Sequence, residues 1–189
     1  MTFFLKELWG PIVLSAIACS IIALLAWPVL SHHHAEWKRL PTEPDVLDAL
    51  RKDPPPPGLY RFPYAMNHEM ERADVKLAFA RGPVGFITIA DRHRPSIPKM
   101  VAGMGGYFLS ISFVVGYVAW AAAPTPKLGA PQTLVAQITF TVALLAYAAA
   151  GIPECVWRGR PWKAWLAQLL DAAMSAAATA FIFAKLWPM

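Results

Sequence analysis

Charge is scarce in this sequence. Asp, Glu, Lys and Arg make up 15% of its 189 residues, whereas 57% are hydrophobic. Soluble globular chains carry about 25% charged residues, so an ordinary water-soluble domain is excluded and a membrane protein is expected. Cysteine is scarcer still. Cys19 and Cys155 are the only two, they lack CxxC spacing, and both lie in or beside apolar runs. That excludes a disulfide scaffold and leaves two packed thiols. Nucleophile elbows, phosphate loops, paired carboxylates and zinc motifs are missing as well. Gly103-Met104-Gly105-Gly106 is glycine-rich, but it opens an apolar run where a nucleotide loop would follow a strand. The expectation therefore leans away from an enzyme. A net charge of +5 does not point to nucleic acid either, because the basic residues flank apolar runs and form no single basic face.

What the chain has is four long apolar runs, at residues 9–30, 101–123, 131–152 and 165–187. Each can cross about 30 Å of hydrocarbon, which takes roughly 20 helical residues. Runs this continuous lack the alternation of barrel strands, so an all-α membrane bundle of four transmembrane helices is expected. The first run is too long for a signal h-region, and Ser31-His32-His33-His34 offers no cleavage pattern, so it reads as a retained span. Tryptophans 9, 27, 120, 157, 162, 165 and 187 mark the interfaces. Four spans put residues 31–98 on the same side as the 154–163 loop, and both termini on the other. Lys38, Arg39, Arg92, Arg94, Lys99, Arg158, Arg160 and Lys163 lie on the first side, against Lys6, Lys127 and Lys185 on the second. The positive-inside rule places the insert in the cytoplasm and the termini in the periplasm of a bacterial inner membrane.

The division expected is a first transmembrane helix at 1–30, an extramembrane α+β insert at 31–98, and a three-helix transmembrane part at 99–189. In the insert, Thr42-Glu43-Pro44-Asp45 is a helix start, and the helix it opens should run to Lys52 and bury Val46, Leu47 and Leu50. Pro54 to Pro57 then impose an extended rod. Strands are expected at 59–63 and 84–90, with a helix over 67–81 whose apolar face is Met70, Ala73, Leu77 and Ala80. So small a unit cannot bury a core of its own, and is expected to pack on the membrane surface or another subunit.

Three groups of residues carry candidate chemistry. Asp171 lies inside the fourth span, where an ionisable group is expensive unless it faces the bundle interior. Gln168 lies one turn earlier, and Gln137 in the third span is a candidate to meet it. Asp171 reads either as a proton or ion site or as a hydrogen-bonded lock between helices. Ala172, Ala176 and Ala180, with Gly106 and Ser110 in the second span, form small-residue faces that permit close helix contact. Such faces invite a partner subunit, a second copy, or a bound lipid, pigment or quinone. His32, His33 and His34 at the membrane edge, with His68 in Met66-x-His68-x-Met70, could hold copper; the plainer reading is solvated interfacial histidines.

Some of these elements recur in a known pattern. Trp27-Pro28-Val29-Leu30 precedes the histidines, Trp37-Lys38-Arg39 follows, and Gly58-Leu59-Tyr60-Arg61-Phe62-Pro63 comes after the acidic helix. Arg81-Gly82-Pro83-Val84-Gly85-Phe86 then leads to a last span that is approached through Trp157, Pro161 and Trp162 and carries Asp171. In these features the chain resembles a group of small four-helix bacterial membrane proteins with a long folded first loop. It departs by one extra position before Pro63. The resemblance implies the architecture and no activity. The function expected is that of a non-catalytic accessory or assembly subunit of a larger respiratory or photosynthetic membrane complex. Its partners would be lipids and other membrane subunits. The alternatives are a small transporter or proton conductor using Asp171, and a copper-handling protein using the histidines.

Overall fold

The computed structural model describes residues 2–29, 38–90, 96–123 and 129–188. Four helices are long and apolar enough to cross a membrane, which fits a multi-pass membrane protein. They lie in α1 (Thr2–Val29), α4 (Ile97–Ala122), α5 (Gln132–Ala148) with its continuation α6 (Gly151–Arg158), and α7 (Trp162–Lys185). The chain forms two compact units: the four-helix bundle, and a second unit that holds α2 (Glu43–Lys52), β1 (Gly58–Phe62), α3 (Ala73–Arg81) and β2 (Gly85–Ile89) together with residues 156–159 from the end of α6.

In the bundle, α1 packs on α4 and α7, and α5 packs on the same two, so the helices form a ring in the order α1, α4, α5, α7. Each helix turns one stripe inward. On α1 it is Leu8, Ile12, Ser15, Ala16 and Cys19; on α4, Phe108, Ser112, Val115 and Ala119; on α5, Val135, Thr139, Ala143 and Tyr147. These spacings of three and four follow the 3.6-residue turn. Small residues let the backbones approach, and Gly116 is the sharpest case. A Cβ there would lie 3.1 Å from Phe183 Cε1 and 3.3 Å from Ile12 Cγ1, so the fully buried Phe183 ring fills the notch the glycine leaves. Trp120 and Trp187 meet beyond it, 6.0 Å between ring centroids.

The second unit has little core. Between Lys38 and Ala90 only Ala65 is buried. β1 and β2 pair antiparallel from Gly58 opposite Ile89 to Phe62 opposite Gly85. Gly85 leaves room for its cross-strand partner, since a Cβ there would sit 2.9 Å from the tip of the Phe62 ring and push it aside. Cis peptides precede Pro63 and Pro83, and Tyr60 donates its hydroxyl proton to Pro56 O at 2.7 Å.

Two expectations for this unit are corrected. α2 begins after Thr42 as expected but without a side-chain cap, and Leu47 is exposed while Val46 and Leu50 are only half-buried. The expected helix over 67–81 divides into a 3-10 turn (Asn67–Glu69) and α3, and its half-buried face is Val75, Ala78 and Phe79. The cause is local. Arg72 is extended and grips Asp74 through Nε at 3.1 Å and Nη2 at 2.8 Å, with Glu69 at 3.5 Å from Nη1. This resets the helical phase at Ala73, so Met70 never joins the helix.

Candidate functional site

α5 stops at Ala148, and the turn at 149–150 leaves its last carbonyls without the amides that a continuing helix would supply. Side chains of α7 satisfy them. Gln168 Nε2 donates to Tyr147 O at 3.1 Å, and Trp165 Nε1 donates to Ala148 O at 3.1 Å. Gly151 makes room, since a Cβ there would lie 2.6 Å from Trp165 Cδ1. The other end of the Gln168 amide accepts a proton from Arg160 Nη1 at 2.6 Å. One glutamine thus ties α5, α7 and the approach to α7 together.

Behind this clamp is a cavity of about 280 Å³. All four spans line it: Ile22 and Ala23 from α1, Met104, Tyr107 and Phe108 from α4, Tyr147 from α5, and Gln168, Asp171, Ala172 and Ser175 from α7, with Arg160 alongside. It lies at the end where α1 and α5 finish and α4 and α7 begin. Asp171 and Gln168, singled out by sequence, meet here. Asp171 is half-buried, nine residues past Trp162, or about 13 Å along the axis. The rings of Tyr107, Phe108 and Tyr147 form an aromatic wall with centroids 5.4 to 6.1 Å apart.

Polar groups continue inward. Tyr147 donates to Cys19 Sγ at 3.7 Å, and Cys19 Sγ lies 3.6 Å from Ser175 O and 3.4 Å from Thr179 Oγ1. Thr179 also bonds back to Ser175 O at 2.8 Å. Ser15 and Ser112 are fully buried, and their hydroxyls have no hydrogen-bond partner among the described residues. Ser15 follows Ile12 by three residues, Ser112 precedes Gly116 by four, and Thr179 precedes Phe183 by four. All three therefore lie about one turn from the Ile12, Gly116 and Phe183 contact, on its cavity side.

No protein family, curated protein or solved structure matches this chain. The geometry alone then carries the functional reading.

The remaining sequence candidates are dispersed. Ala172, Ala176 and Ala180 are buried between helices, whereas Gly106 and Ser110 are exposed on α4, with Ser110 Oγ bonded to Gly106 O at 2.9 Å. Gln137 is exposed on α5 and lines no part of the cavity. His68 is exposed in the 3-10 turn, and no three His, Cys, Asp or Glu among the described residues are grouped to hold a metal. His32, His33 and His34 lie outside the described residues. Sequence reading missed Arg160, Tyr107, Tyr147 and Cys19. Cys19 did carry a signal, because it repeats Ser15 at four residues, as Thr179 repeats Ser175.

Proposed function

We propose that the chain is a non-catalytic accessory subunit of a larger bacterial inner-membrane complex, with the four-helix bundle as its anchor and the second unit as its grip on a partner protein. The observation that carries this reading is that the second unit leaves its apolar side chains unburied. Tyr64 is 70% exposed, Leu59 66% and Phe86 52%, in a segment with one buried residue. A two-stranded sheet is marginal alone, and its open edges and apolar side chains gain stability from a partner. The excess of basic residues on the insert side supports placing that unit in the cytoplasm.

Native purification in mild detergent tests the proposal. The protein is expected to migrate with a stoichiometric partner, and Leu59→Glu with Phe86→Glu is expected to release it while the bundle stays folded. A monodisperse, partner-free chain in native membranes would overturn the reading. A second reading, proton or ion conduction, draws support from the polar groups that lead inward from Asp171. It requires flux into liposomes that Asp171→Asn abolishes.

A further inference from the structure

The cavity is built for more than helix packing. Its walls are apolar at Ile22, Met104 and Phe108, and polar at Tyr107, Arg160 and Asp171. Tyr107 belongs to α4 and Asp171 to α7, which face each other across the diagonal of the ring. A molecule between them meets a phenol on one side and a carboxylate on the other, with flat aromatic surface beside it. Tyr107 is also 42% exposed, so the α4 wall opens outward. A volume of about 280 Å³ holds a single-ring headgroup, close to the lower end of about 300 Å³ typical of ligand pockets.

We propose that this cavity binds the ring headgroup of a neutral amphiphile of the quinone class, drawn from the lipid phase. Its ring oxygens would accept hydrogen bonds from the Tyr107 hydroxyl and the Arg160 guanidinium. In the reduced form, a ring hydroxyl would donate to Asp171. The charges argue against a phospholipid. An anionic head would meet Asp171 as well as Arg160, so the lining offers it no net positive charge. A zwitterionic head carries its phosphate nearer the tails than its ammonium, and so needs the cationic side chain deeper than the acid. Here the order is reversed: the Arg160 guanidinium is held at Gln168 Oε1, and Asp171 lies about one turn further along α7. A neutral ring with oxygens at opposite edges needs no particular charge order.

The test is titration of the purified, delipidated full chain in detergent with decylubiquinone, read as a saturable rise in thermal unfolding midpoint. Tyr107→Phe removes only the hydroxyl. It is expected to raise the half-saturating concentration about three- to tenfold while leaving the unliganded midpoint unchanged. Ala23→Phe, which fills the cavity from α1, is expected to abolish the effect. The proposal is overturned by the absence of saturable stabilisation, by equal half-saturation in wild type and Tyr107→Phe, or by a stoichiometric phospholipid retained through delipidation and lost in Ala23→Phe. None of these readouts depends on a partner protein, so this inference and the accessory-subunit reading stand or fall separately.

Discussion

Replacing Gly151 with alanine tests whether the α5–α7 clamp is as tight as its geometry implies. The added methyl would sit 2.6 Å from Trp165 Cδ1 and 2.9 Å from Gln168 Oε1. Carbon atoms in contact normally stand about 3.5–4.0 Å apart, so the overlap is about 1 Å. Neither neighbour withdraws freely: Trp165 is bonded to Ala148 O, and Gln168 to Tyr147 O and Arg160. Overpacking of this kind costs about 1–3 kcal/mol, and each hydrogen bond broken about 1 kcal/mol more. Against this, alanine favours a helix over glycine by at most about 1 kcal/mol. The clash wins, and Gly151→Ala is expected to destabilise the bundle by about 1–3 kcal/mol. Gly106→Ala is the control, because nothing lies within 4 Å of its Cβ position and only the helix-favouring effect remains. Reversible unfolding in detergent, followed by the far-ultraviolet helical signal, measures both. If Gly151→Ala proves as stable as Gly106→Ala, the clamp is not rigid and the argument fails.

Phe183→Ala empties the notch at Gly116 and is expected to destabilise by about 3 kcal/mol, the low end for Phe→Ala because the unfolded helices remain in lipid. Gly116→Leu in that background should restore part of the loss, and strict additivity of the two changes would refute the packing. In the second unit, Gly85→Val drives a side chain into the Phe62 ring despite valine's strand preference. Amide exchange across β1 and β2 should rise, and unchanged protection would show that the ring is not seated there. The hydrogen bond from Arg72 holds the Asp74 carboxyl below its ordinary range. The stabilising contribution of a group with a depressed folded-state pKa is present above its unfolded value and is lost as pH falls through the folded one. Carbon-13 titration of Asp74 should therefore have an acid-shifted midpoint that Arg72→Ala moves upward, and an unmoved midpoint would refute the pairing.

The four spans were legible because each is a run of roughly 20 apolar residues, a signal that no local interaction overrides. Within the insert, both strands and α2 fell close to their expected places, since proline and glycine punctuate them. The phase of α3 did not, because it is set by the grip of Arg72 on Asp74 and Glu69, which hydrophobic spacing ignores. The α7 wall of the cavity could be read: Asp171 and Gln168 are conspicuous in an apolar helix. Tyr107 and Tyr147 look like any interfacial aromatics, and Arg160 looks like a topogenic charge, until four helices bring them to one place. Gln137, Gly106 and Ser110 share a simple geometry. Gln137 is two residues from both Val135 and Thr139, and Gly106 and Ser110 are two residues from Phe108. Two steps of 100° carry a side chain to the opposite face of a helix.

The bundle interior is polar at one end and apolar at the other, and this asymmetry bears on what Asp171 can do. From the cavity inward the buried polar groups and the thiol are Ser175, Cys19, Thr179, Ser15 and Ser112, with Thr139 about level with the Gly116 contact; past that contact the buried residues include Phe183, Ile12, Leu8, Val135 and Trp187. A carboxylate so placed lies toward one end of the bundle. A conduction pathway would have to cross the apolar half, where Phe183 is fully buried and touches the Gly116 notch. A ligand entering the cavity has no such barrier to pass. Conduction therefore demands that Phe183 move, and in liposomes Phe183→Ala would then increase an Asp171-dependent proton flux. Binding demands no movement, and predicts that neither wild type nor Phe183→Ala passes protons.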